Sequence, residues 1–419
     1  MKRFLSLIFI FSALTASAQE NTSNWYFGKN YNRKIETSWN ESGLLKATDY
    51  GNAHIRVVKA DGTVPEQCVI EKNRPVAGPI HTGDCIVMEF PESIFAAGSY
   101  VDFALTFAGQ QCETSEWIFE YYDGGWKSGS VYKIYGTGGQ PTSVLETVRL
   151  VQVASHGQFK MRMRALGNCS GIVFQSHAFL GAYAADRGTK APVDTLKALY
   201  IGNSFTYYQS SPSLLKEIAW KEGHYIDMTT SLRGGATFAE HLTFDITEDA
   251  ISEGGYDLAI LQDHSRGPVG LGLDKKANSQ YLKDAEEIAD RIREASPECR
   301  FVIEYRSSAT AKNDFYGCGS LKAYNKCTLR GTKMMAKARG AEMSNITDAF
   351  MIVRRDRPDI AVLASDGTHP SIYGSYLKSC INYLTIYRKP FGDSPADCGL
   401  DPKKTSYLRS LAEQVVLGK

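Results

Sequence analysis

Hydrophobic positions along this chain follow two different rules, and the change falls near residue 190. From about residue 24 to 183, short apolar and aromatic runs alternate with Gly, Asn and Asp, the pattern of β-strands joined by tight turns. Strands are predicted at 54–58, 85–90, 100–105, 117–121, 131–135, 148–153 and 159–164. Asp123-Gly124-Gly125 and Gly136-Thr137-Gly138-Gly139 supply turns where positive φ is easy. So many strands at short spacing predict a β-sandwich or jelly roll over 19–183.

Residues 184–194 read as a linker (Ala-Ala-Asp-Arg-Gly-Thr-Lys-Ala-Pro-Val-Asp). Over 195–419, apolar strands alternate with apolar stripes at helical spacing, which predicts a parallel α/β sheet. Strands are expected at 196–201, 225–230, 256–261, 300–305 and 343–346. A helix with Ser211 as N-cap and Pro212 at its first position follows the first strand, with a stripe of Leu214, Leu215, Ile218 and Ala219. Another, over 275–295, carries Leu282, Ala285, Ile288 and Ile292. Further helices are predicted over 321–339, after His369 with Tyr373, Leu377, Ile381 and Leu384, and over 402–417.

Composition adds bounds rather than a function. The 419 residues suffice for two or three domains. With 43% hydrophobic and 22% charged residues the chain is ordinary for a globular protein. A net charge of +1 gives no bulk field for nucleic acid or an anionic membrane. Lys2 and Arg3, an apolar run over 4–14 and Ala16-Ser17-Ala18 form an export signal, 1–18, pointing to the periplasm or exterior of a bacterium. The apolar run is too short to span a bilayer, so no stable membrane insertion is expected. Export permits disulfides. The nine cysteines are an odd number, and neighbours in sequence suggest Cys68–Cys85, Cys318–Cys327 and Cys380–Cys398, with Cys112–Cys169 across the β domain. No His/Cys spacing suggests zinc, and no cofactor is called for. The Asn-x-Ser/Thr strings at Asn21, Asn40, Asn168 and Asn345 carry no meaning in a bacterial export product.

Two short strings carry the chemistry. Gly202-Asn203-Ser204-Phe205 leaves the first predicted strand, and reactive groups in open α/β sheets gather beyond the carboxyl ends of the strands. Asp366-Gly367-Thr368-His369 lies near the end of the chain. Serine is a weak nucleophile and needs a base, and the base needs an orienting group. Ser204, His369 and Asp366 are therefore the candidate nucleophile, base and orienter. Each string alone reads equally well as a capped loop.

Together, in this order, the two strings make residues 195–419 resemble the SGNH (GDSL-like) hydrolases, with Asn203 where that superfamily has Asp. The resemblance implies an α/β flavodoxin-like three-layer α/β/α sandwich, here preceded by the all-β sandwich. It implies two-step acyl transfer without a cofactor. It also implies an oxyanion hole built from the Ser204 N–H, a glycine after the second strand and an amide side chain after the third. Gly235 in Arg233-Gly234-Gly235-Ala236-Thr237 is the chosen glycine, with Gly234 close behind. The superfamily's Gly-x-Asn-Asp is replaced by Leu261-Gln262-Asp263-His264-Ser265, a departure. Gln262 is assigned as the amide donor, as in some carbohydrate-esterase branches, and His264 is the alternative.

Tyr207, Tyr208, His241, Tyr305 and Arg306 lie near the predicted strand ends and suit sugar faces and hydroxyls, or ordinary loop packing. In the β domain, Trp117, Tyr121, Tyr122 and Trp126 either bind glycan or fill a core. The expectation is an exported serine esterase acting on acetylated oligo- or polysaccharide. The alternatives are a glycan-binding protein with a degenerate hydrolase domain, or a lipid or arylester hydrolase. Oligomeric state is not legible.

Overall fold

The computed structural model describes residues 37–39, 44–47, 54–63, 69–71, 74–77, 79–89, 96–109, 114–135, 143–155, 160–169, 172–173 and 182–418 except 307–315 and 394. The C-terminal part is built on five parallel strands: Asp194–Gly202, His224–Leu232, Leu258–Leu261, Arg300–Glu304 and Glu342–Ser344. Their spatial order is second, first, third, fourth, fifth, the doubly wound flavodoxin-like order. Ile201 is in register with both Ser231 and Leu261, so the carboxyl ends of the three leading strands finish side by side.

Period-two alternation along these strands feeds two cores. Ala198, Tyr200, Ile226, Leu258, Ile260 and Val302 face one side, where helices Ser211–Lys221, Ile346–Asp356, Ile372–Tyr387 and Pro402–Leu417 cover them. Leu199, Ile201, Ala259, Leu261, Phe301 and Ile303 face the other, under helices Asp245–Glu253, Arg266–Leu273, Ser279–Ala295 and Leu321–Arg339. The result is a three-layer α/β/α sandwich. Each buried Leu or Ile contributes about 1.5–3 kcal/mol, so both faces of the sheet are firmly held and the loops beyond its carboxyl edge rest on a rigid base.

Among the described residues the N-terminal part is strand and turn. Its strands form a seven-stranded sheet and a second, six-stranded one, with antiparallel pairing throughout. The stretch expected as linker begins as strand: Ala182–Asp186 pairs with Tyr100–Gly109, up to Asp186 opposite Val101. Backbone pairing of this stretch extends the sheet where the composition suggested a loop. Trp117 is fully buried and donates to Ser115 Oγ at 2.9 Å, so it is a core residue and not a glycan contact. Tyr121, Tyr122 and Trp126 are half-buried, and Arg162 lies 3.9 Å from the centre of the Trp126 ring.

The cysteine pairing differs from expectation. All seven described cysteines are free thiols. Cys380 is buried in the apolar core as one more hydrophobic residue of its helix. Cys318 and Cys327 are near neighbours, and burial followed by the proximity of Cys327 pushes the Cys318 thiol up to about 11. Cys68 and Cys112 lie outside the described residues, as does the export signal. No helix among the described residues is long and apolar enough to cross a membrane.

Candidate active site

The first strand ends at Gly202, and Asn203 caps the short helix Ser204–Tyr207 that follows. The Asn203 carboxamide oxygen accepts from the Phe205 N–H at 3.1 Å, and its nitrogen donates to Ala236 O at 3.0 Å. One buried side chain therefore fixes the serine turn and ties it to the glycine turn after the second strand. An Asp here could accept but not donate, so the Asn in this string has a structural reason.

Ser204, His369 and Asp366 come together. His369 Nε2 lies 2.8 Å from Ser204 Oγ, and His369 Nδ1 lies 2.6 Å from Asp366 Oδ2. The other Asp366 oxygen accepts from the Thr368 N–H at 2.8 Å and the His369 N–H at 2.9 Å. Burial works to raise the Asp366 pKa, but the bonds from Thr368 and His369 outweigh it and hold the carboxyl below its usual range. A carboxylate on Nδ1 fixes the tautomer: Nδ1–H donates to Asp366, which leaves the Nε2 lone pair facing the serine hydroxyl. Tyr208 stacks on the imidazole at 3.9 Å and 13°, which limits ring rotation. The chain reaches that position through a break at Gln209, a buried residue at φ 55. The Tyr207 hydroxyl is in hydrogen-bonding range of Ser204.

Three N–H groups near the serine have no acceptor among the described residues: those of Ser204, Gly234 and Gly235. Gly235 sits at φ 70 with nothing within 4 Å of where a Cβ would be, so its conformation, and not crowding, calls for glycine. The turn is held from outside by Asp263, whose carboxylate accepts from the Phe238 N–H at 2.9 Å and the His264 N–H at 2.8 Å. Burial pushes the Asp263 carboxyl up to about 7, against those two bonds.

Gln262 is at the site but faces inward. Its Oε1 accepts from the Asn203 N–H and from Thr206 Oγ1, both at 3.0 Å, while its Nε2 donates to the Asp263 carbonyl. The Asn203 N–H is a donor, so the amide cannot be turned the other way round. With its side chain fully buried, its Oε1 accepting twice and its Nε2 turned to the Asp263 carbonyl, Gln262 holds the serine loop from below.

His264 is half-buried, and its Nδ1 accepts from the Arg266 N–H at 3.2 Å. Burial, then the charges of Arg306 and Arg266, push its pKa down to about 4. It is therefore neutral at pH 7 and carries its proton on Nε2, for which no acceptor is present among the described residues.

Other residues expected near the site separate by burial. His241 is fully buried, donating from Nε2 to Gly202 O at 3.0 Å with Thr247 Oγ1 at 3.0 Å on Nδ1, so it props the strand end. Tyr305 is buried and donates to Asn325 O at 3.0 Å. Lys378, which carries no sequence motif, is buried behind the serine turn. It donates to Phe205 O at 3.2 Å and pairs with Glu304 at 3.1 Å. The only hint in the sequence is a lysine on an otherwise apolar helix face.

No family model matches this chain, and no curated protein matches it. Solved structures do. A DUF4886 family protein from Bacteroides uniformis shares 18% identity, covering 54% of this chain and 95% of its own, at a TM-score of 0.44. A protein described as an SGNH hydrolase, from Slackia heliotrinireducens, shares 23%, covering 46% and 99%, at 0.38. A carbohydrate esterase family 2 enzyme with a carbohydrate-binding domain, from Corynascus thermopiles, shares 13%, covering 80% and 98%, at 0.36.

This arrangement can do nucleophilic chemistry: an activated hydroxyl, a base with a fixed tautomer, and unsatisfied donors beside them. Among the described residues no group of His, Cys, Asp and Glu could hold a metal ion.

Proposed function

We propose that this chain is an exported serine esterase that hydrolyses O-acyl esters, above all O-acetyl esters, on carbohydrate. The observation that carries the reading is the continuous bond path from Ser204 Oγ through His369 to Asp366, at 2.8 Å and 2.6 Å. His369 takes the serine proton as Oγ attacks the ester carbonyl, and Asp366 stabilises the imidazolium. The Ser204 N–H, the Gly235 N–H and the His264 Nε2–H receive the oxyanion. His264 takes that place because Gln262 is occupied with the serine loop. His369 then protonates the leaving alcohol, and water releases the acid from the acyl-enzyme.

Carbohydrate is supported by the half-buried Tyr207 and Tyr208 rings flanking the hydroxyl, which suit sugar faces. Export rests on the N-terminal signal pattern. The decisive measurement is p-nitrophenyl acetate hydrolysis by Ser204→Ala. Activity should fall by at least about 10⁴-fold, with an unchanged thermal melt. Activity persisting near the wild-type level would remove Ser204 from its role. Acetate release from a panel of acetylated polysaccharides then identifies the substrate, and binding without release would favour a degenerate hydrolase.

A further inference from the structure

Arg306 follows the fourth strand at its carboxyl end, on the same edge of the sheet as Ser204. It is 7% exposed, yet it makes no salt bridge and no hydrogen bond among the described residues, and its Nε is buried without a partner. Its guanidinium carbon sits 4.3 Å from the centre of the Phe205 ring, and Phe205 is the residue next to Ser204. Lys378 Nζ lies 4.9 Å from that same ring. Two cations thus crowd the residue after the nucleophile. The one carboxylate with them among the described residues, Glu304, is bonded to Lys378, Tyr200 and Asn382. Arg306 also lies close enough to His264 to disfavour a positive charge there.

A buried guanidinium without an anion is costly, and its planar fork matches a carboxylate. We propose that Arg306 binds a carboxylate carried by the substrate itself, which makes the preferred ester that of an acidic molecule and not of a neutral glycan. This deepens the esterase reading and rests on it. The carboxylate has two possible sources: the alcohol side, as in an O-acetylated uronic acid polymer, or the acyl side, as in the half-ester of a dicarboxylic acid.

The test uses the full chain and four esters. Acetylated polygalacturonate is compared with acetylated xylan, and p-nitrophenyl hydrogen succinate with p-nitrophenyl acetate. Wild type should prefer one anionic member by about tenfold or more in kcat/KM, and the pair that shows the preference names the source. In Arg306→Met the ratio of anionic to neutral kcat/KM should fall about 30-fold, mainly through KM, and Arg306→Lys should recover part of it. No preference in wild type, or an equal loss on both members of each pair, overturns the proposal. Should Arg306→Met fail to fold, inhibition of wild-type p-nitrophenyl acetate hydrolysis decides. Oligogalacturonate must compete better than neutral xylo-oligosaccharide, or succinate better than acetate, and equal inhibition within both pairs overturns the proposal. Loss of the Ser204 requirement would overturn the esterase reading separately.

Discussion

Two clusters of buried charge among the described residues are built differently. At the junction of the two parts, Asp102 of the β part, Arg187 of the connection, and Lys216 and Glu217 of the Ser211–Lys221 helix meet in one buried group. Arg187 bonds both Asp102, at 2.9 Å, and Glu217, while Lys216 reaches Asp102 at 3.4 Å. Two acids face two bases. Behind the nucleophile, Glu304 alone among the described residues faces Lys378 and Arg306. Burying ions is expensive, and the expense is offset only when partners are complete. The first cluster is balanced in charge among the described residues and reads as a pin between parts. The second is one negative charge short among the described residues, beside the candidate nucleophile, and the proposed substrate carboxylate would supply it.

Removing one anion from each cluster is the strongest way to break this contrast. Glu304→Gln leaves Lys378 and Arg306 buried without any countercharge. It should cost about 3–5 kcal/mol in urea unfolding. Ester hydrolysis should also fall, because Lys378 holds the Phe205 carbonyl of the serine turn. Asp102→Asn leaves Glu217 to pair with Arg187, so its cost should be smaller, about 2 kcal/mol. Its kcat on p-nitrophenyl acetate should stay near wild type. An Asp102 variant that loses as much activity as Glu304→Gln would mean that the two clusters are not functionally distinct.

His241 shows a third way to bury a titratable group: neutral, with both nitrogens bonded. Burial pushes its pKa down from the usual 6.5 to about 4. Between those values the unfolded chain holds the extra proton, so this contribution is complete above about pH 6.5 and is lost as pH falls toward 4. Its limit is about 3 kcal/mol. His241→Gln retains a donor for Gly202 O but cannot titrate. The difference in its stability between pH 7 and pH 4.5 should be smaller than that of wild type by about 1–3 kcal/mol. Equal pH slopes would show that the imidazole is not held neutral.

These clusters also mark what the sequence could and could not disclose. Ser204 and Asp366/His369 are legible because strand ends in parallel sheets converge and the strings have fixed local geometry. The five strands and the helix Leu321–Arg339 are legible from periodicity. The helix Arg266–Leu273 is not, because three glycines and a proline argue against it. Packing explains the last of them: a Cβ on Gly272 would lie 1.8 Å from Cys327 O, and on the facing helix one on Gly331 would lie 1.8 Å from Pro268 O. Only glycines let these two helices touch. Gln262 looked like an oxyanion donor because its position in the chain is right. Its orientation is decided by Asn203 and Thr206, 59 and 56 residues away, and no local pattern records that. Charge pairing across such distances is likewise invisible, so the imbalance around Arg306 appears only in three dimensions.

The smallest effect is expected where the two parts meet in solvent. Lys133 and Tyr135 of the β part both bond Asp249 of helix Asp245–Glu253, at 2.7 Å and 2.8 Å. The Lys133 and Asp249 side chains are each 40% exposed, so water competes for both charges. Such pairs contribute about 0–1 kcal/mol. Lys133→Met should therefore shift urea unfolding by no more than about 0.5 kcal/mol. Burial, followed by Asp249, pushes the Tyr135 hydroxyl up, so it stays protonated and goes on donating to that carboxylate when the lysine is gone. A loss from Lys133→Met as large as that from Asp102→Asn would place the pin between the two parts at this exposed edge, and the buried group around Arg187 would no longer be what joins them.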